Sequence, residues 1–163
     1  MSRRILVTAA LVVITLGITV QAQAQSTVVA RVEGTFHDFT ADLDGSGPWQ
    51  LVGGWSGALK STGVVDVQAS LSMVRADNPT RQAHTHHVTL TDGTVSVIAG
   101  GYRISGTATI TSNGTTAGFS GSPVIVDITG GPAVGLAKIA LTFQGAATAH
   151  FGDQPVDGVV QVP

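Results

Sequence analysis

The chain has 163 residues, with 8 basic and 10 acidic side chains, a formal charge of −2, 43% hydrophobic residues and no cysteine. A length of this order builds a single domain, and with no basic patch or run the composition argues against nucleic acid as a partner. Without cysteine no disulfide can brace the fold, which must stand on its hydrophobic core.

The first residues form a three-part pattern. A short cationic opening, Ser2-Arg3-Arg4, runs into an apolar stretch from Ile5 to Val20, then into Gln21-Ala22-Gln23-Ala24. Small residues stand at the two positions a signal peptidase reads, which predicts cleavage after Ala24. The apolar stretch is shorter than the ~20 residues a membrane span needs. The expected organisation is therefore a signal peptide over 1–24 and one β-barrel domain over 25–163. The domain is expected in the periplasm or outside the cell, with no stable membrane insertion after cleavage.

From there on no 3.6-residue periodicity is sustained, and Val, Thr, Ile, Ala and Gly fill short alternating runs broken by turn residues. That is all-β composition. Between Thr27 and Asp38 the residues Val28, Ala30, Val32, Gly34 and Phe36 share one face, which is expected to look inward. Asp42-Leu43-Asp44-Gly45-Ser46-Gly47-Pro48 resembles the start of a calcium loop, but Gly53 stands where such a loop needs its closing Glu, so a plain turn is expected. A longer strand follows over Thr62 to Val74, with Val65, Val67, Ala69, Leu71 and Met73 on its apolar face.

Next comes the stretch from His84 to Ala99, in which two alternating runs flank Asp92-Gly93. That dipeptide predicts a two-residue hairpin turn. Gly100-Gly101 and Asn113-Gly114 predict two more, so that Ala99 faces Tyr102, Ala117 faces Ile110 and Phe119 faces Ala108. Val124 to Thr129 is apolar on both faces except for Asp127, which predicts a strand covered on both sides or a homo-oligomer contact. From Ala133 to Phe151 the odd positions share a face, with a bend at Gly145, and Val156 to Val162 makes a last strand. About eight or nine strands in hairpin order favour a small antiparallel β-barrel, largely a meander, over the alternative β-sandwich, because closure leaves fewer edges to protect. An outer-membrane barrel is disfavoured: the eight aromatic residues are too few for two interfacial girdles.

The chemistry-bearing residues gather near the first of these hairpins. His84 and His86 stand two apart on one strand face, roughly 6.7 Å along the chain, close enough for both imidazoles to reach one divalent metal ion. The pair resembles the His-x-His arrangement of cupins and carbonic anhydrases, although the Glu that the cupin pattern needs three or four positions later is replaced by Thr89 and Leu90. A third ligand must come from elsewhere. Strand parity turns His37 and His150 outward and leaves Asp38, at a strand end, as the candidate. In the same register His86, Ala99 and Tyr102 form one row, predicting a polar mouth over an apolar interior.

No residues arranged as a serine or cysteine nucleophile, and no close carboxylate pair, stand out. The expectation is a secreted or periplasmic barrel that binds a small hydrophobic or amphipathic molecule at His84, His86 and Tyr102. A cyclase-like, isomerase-like or metal-dependent enzyme using the same residues, and a structural or adhesive envelope domain without a pocket, are the alternatives.

Overall fold

The computed structural model describes residues 26–40, 48–75, 77, 82–130 and 136–161. The expected signal peptide and the Asp42 to Gly47 turn lie outside them. The strands are β1 (Val28–Phe39), β2 (Trp49–Lys60), β3 (Val65–Arg75), β4 (His84–Ile98), β5 (Gly101–Ser112), β6 (Thr115–Thr116), β7 (Ser122–Thr129), β8 (Leu136–Phe143) and β9 (Val156–Gln161). Between β8 and β9 lie a 3-10 turn, Gly145–Ala147, and one short helix, α1 (Thr148–Phe151).

Eight of these strands form a closed antiparallel barrel, and β6 is an extra stub paired to β5. Each barrel strand pairs with the next in sequence, β4 pairs with β5, and β1 returns to β9, so the sheet has no free barrel edge and the sandwich alternative is ruled out. The meander sends successive strands in opposite directions. One end of the barrel therefore collects Phe39, Trp49, Arg75, His84, Ser112 and Phe143, and the other collects Val28, Lys60, Ile98, Gly101, Thr129 and Gln161.

Period-two patterning decides which face is inside. In β3, Val65, Val67, Ala69, Leu71 and Met73 are buried, and the residues between them are half-buried or exposed. The middle of the lumen is filled by Phe36, Leu51, Leu71, Leu90, Ile110 and Ile139, none more than 1% exposed. This layer separates the two ends.

Closure between β1 and β9 uses a glycine. Gly34 faces Trp55 on β2 and Val160 on β9, and the Trp55 indole Nε1–H crosses over it to donate to the Val159 carbonyl at 3.2 Å. A Cβ on Gly34 would sit 1.9 Å from that carbonyl oxygen, so no other residue fits without moving a strand.

Several turns differ from expectation. Asp92-Gly93 is a bulge inside the continuous strand β4 rather than a hairpin. The register slips by one residue there against both neighbours, between Val65 and Val67 on β3 and between Leu90 and Thr94 on β4 opposite β5. Asp92 takes φ 55°, as the dipeptide allows, and its amide donates to Asp66 while Lys60 donates to its carboxylate. These contacts hold the bulge flat against β3. The following turn is Ala99-Gly100, not Gly100-Gly101, which pairs Ile98 with Gly101 and Val97 with Tyr102. The shift is two residues in register, so every side chain keeps its face.

Asn113-Gly114 forms the expected turn, with both residues at positive φ, and the Ala117 amide bonds the Ile110 carbonyl as the register requires. The chain then departs through a turn over residues 118–121, so Phe119 leaves the sheet. The expected strand to Phe151 likewise stops at Phe143.

Candidate metal centre

His84 and His86 lie at the first end of the barrel, where β4 begins. His86 points into the lumen and is 1% exposed, and its Nδ1–H donates to the Thr111 carbonyl on β5 at 3.1 Å. His84 is half-buried, and its Nδ1–H donates to the Gln82 carbonyl at 2.7 Å. Gln82 itself takes φ 57°, a left-handed conformation unusual for this residue, which turns its carbonyl back onto the ring. With Nδ1 committed as donor in both rings, each Nε2 carries its lone pair toward the interior.

The third member is His150. It does not sit on the outward face of a strand, as parity predicts, because the chain has left the sheet before reaching it. Gly145, at φ 61°, turns the backbone into the 3-10 segment, α1 follows, and Gly152 at φ 86° ends the helix with its amide bonded to the Thr148 carbonyl. Within α1, Phe151 drops into the core and stacks on Phe143 at 3.9 Å between centroids. The preceding residue, His150, is thereby carried over the end of the lumen.

His150 Nε2 lies 2.8 Å from His86 Nε2 and 3.2 Å from His84 Nε2. All three ligand-type nitrogens fall within 4.8 Å of one another. A first-row ion bound about 2.0–2.1 Å from each nitrogen would hold tetrahedral neighbours roughly 3.3 Å apart. The two contacts of His150, at 2.8 and 3.2 Å, are close to that spacing. Two of the three nitrogens present lone pairs and only His150 has a proton to offer, so the point where they converge could hold a cation.

The electrostatics agree. Burial, followed by the charges of His150 and His84, lowers the His86 pKa from 6.5 to about 4, against a small opposing effect of the Thr111 carbonyl. His150 is lowered in the same direction by burial and by His84. His86 and His150 are therefore neutral near pH 7, the form that ligates metal.

Aromatic rings wall the cluster. Phe119 stacks on His150 at 5.0 Å and 20°, Trp49 meets His84 edge-on at 5.3 Å, and Phe151 meets His86 at 4.9 Å. The Ser122 hydroxyl joins the two segments involved: it donates to the Phe119 carbonyl at 2.7 Å and accepts from the Ala147 amide at 3.2 Å.

The structure does not bring the other two expected residues here. Asp38 accepts the Phe39 and Asp157 amides at 2.8 and 2.7 Å and takes no part in the histidine cluster, so its carboxylate serves the β1–β9 closure instead of ligation. Tyr102 and Ser112 stand at opposite ends of β5, and it is Ser112 that pairs with His86. The phenol therefore belongs to the far mouth of the barrel. His150 is the residue that sequence reasoning missed. Its signal was the short Thr148-Ala149-His150-Phe151-Gly152 run, a helical turn with a glycine stop, hidden because alanines satisfy either period.

The fold and cluster define a closed eight-strand antiparallel barrel with three converging imidazoles at one end. Comparison with protein-family models, curated proteins and solved structures finds no match for this chain.

Proposed function

We propose that the chain is an exported metalloprotein whose His84, His86 and His150 hold one divalent transition-metal ion of the zinc class. The observation that carries this reading is the convergence of three Nε2 atoms, two of them fixed as lone-pair donors by backbone carbonyls. Export rests on the cationic, apolar and small-residue pattern of residues 1–24.

Three protein ligands leave a tetrahedral ion one exchangeable position, the coordination of a reactive metal rather than a structural one. A water there would be acidified toward neutrality and would serve as nucleophile or base. The rings of Trp49 and Phe119 flank the cluster, and they favour a small hydrophobic or amphipathic molecule as the partner for that position.

Cobalt substitution tests this. Chelator-stripped protein reloaded with Co²⁺ should give an intense visible spectrum of a four-coordinate site, and azide should shift it by replacing the exchangeable ligand. A weak six-coordinate spectrum, or one that azide leaves unchanged, would contradict the open three-histidine site.

A further inference from the structure

The far mouth of the barrel holds a cavity of about 280 Å³. Its walls come from six strands: Val32 on β1, Leu59 on β2, Val65 at the start of β3, Val95 on β4, Tyr102 with Ile104 on β5, and Ile128 on β7. The space exists because each inward cross-strand pair of β1 and β2 here has one small member. Ala30 pairs with Leu59, and Gly57 pairs with Val32, so neither pair fills the lumen at this end.

The one-residue bulge at Asp92 lies between Leu90, which belongs to the packed middle layer, and Val95, which lines the cavity. Leu90 lies over Gly93 and Gly106: a Cβ on either glycine would come within 2.9 and 2.5 Å of its methyl groups. That packing closes the cavity floor and isolates it from the histidines. Tyr102, 56% exposed, and Val97, 81% exposed, form a cross-strand pair on its rim.

We infer that this cavity is a binding site for a small neutral, ring-bearing apolar molecule carrying one hydrogen-bonding group, which the Tyr102 hydroxyl meets at the mouth. The volume is nearly twice the ~150 Å³ of an apolar cavity that holds benzene, so two fused rings fit. Apart from Tyr102 and Arg31 the lining is aliphatic or glycine, and Arg31 has the outward parity of β1. Among the described lining residues no inward-pointing side chain offers a partner to a net charge on the ligand.

Titration of the protein with 2-naphthol, followed by its fluorescence and by calorimetry, tests the assignment. The expected result is saturation at one equivalent, a five- to tenfold weaker affinity in Tyr102→Phe, and loss of binding in Val95→Trp, which fills the space. If Val95→Trp loses its β-sheet circular dichroism, Ala30→Trp takes its place as the blocking variant. The His84→Ala/His86→Ala double variant should bind 2-naphthol as the wild type does, whatever becomes of its metal. No saturable binding, equal binding in a folded blocking variant, or loss of binding in a double histidine variant that keeps its β-sheet circular dichroism would each overturn the proposal.

Discussion

His86 Nε2 lies 2.8 Å from His150 Nε2, although 64 residues separate the two in sequence. One is held by a strand and a backbone carbonyl, the other by a four-residue helix anchored through the side chain next to it. The site is therefore as firm as the seating of that helix.

Phe151→Ala should be costly twice over. Removing a buried phenylalanine typically costs about 3–5 kcal/mol, and here it also takes away the stacking on Phe143 that fixes α1. Urea denaturation should show that loss, and zinc affinity should fall by more than the stability change alone produces, because His150 is no longer placed.

Ser122→Ala should loosen the site without dismantling the barrel. The hydroxyl makes one bond to the segment carrying Phe119 and one to the segment carrying His150. The expected cost is about 1–2 kcal/mol in stability. Metal affinity should drop roughly tenfold, the size of effect typical of groups that orient ligands. Competition against a chelator of known affinity measures it.

Stability of the metal-free protein should depend on pH through His86. Its folded pKa is about 4 against an ordinary 6.5, so below pH 6.5 the unfolded chain takes up a proton that the folded chain refuses until about pH 4. Stability is full above 6.5 and falls as the pH drops through that window, by roughly 3 kcal/mol in all. His150, lowered in the same direction, adds to the fall. Urea midpoints of chelator-treated protein across the window should follow this slope, and His86→Asn should flatten it.

Gly34→Ala should open the barrel seam. The added Cβ would meet the Val159 carbonyl at 1.9 Å and the Trp55 Nε1 at 2.6 Å, so β1 and β9 must separate or Trp55 must leave its place. A loss on the order of 3 kcal/mol is expected for forced strain of this kind. Hydrogen exchange should find it concentrated in β9, whereas Trp55→Phe, which deletes only the indole bond, should cost about 1 kcal/mol.

The barrel was largely legible because inward and outward residues alternate through β3, β5 and β7, and a two-residue slip at Ala99-Gly100 changes no face. The site was legible only in its strand half. His84 and His86 are readable as a pair because two positions on a strand fix a common direction. His150 was not, because its position depends on where β8 ends, and the alanines around Gly145 fit strand and helix alike. Asp92-Gly93 misled for a related reason: the same backbone freedom makes a hairpin or a bulge, and the contacts that hold the bulge, the ion pairs of Lys60 with Asp66 and Asp92 and the Asp92 amide bond to Asp66, come from neighbouring strands. Tyr102 was then placed near His86 by a hairpin register that the longer β4 does not permit.

Elemental analysis of the protein, purified without a histidine tag and compared with its His150→Ala variant, tests the central claim most directly. The account predicts close to one equivalent of a zinc-class metal per chain in the wild type and almost none in the folded variant. A wild type without metal after incubation with stoichiometric Zn²⁺, or a His150→Ala variant that keeps its full equivalent, would contradict it.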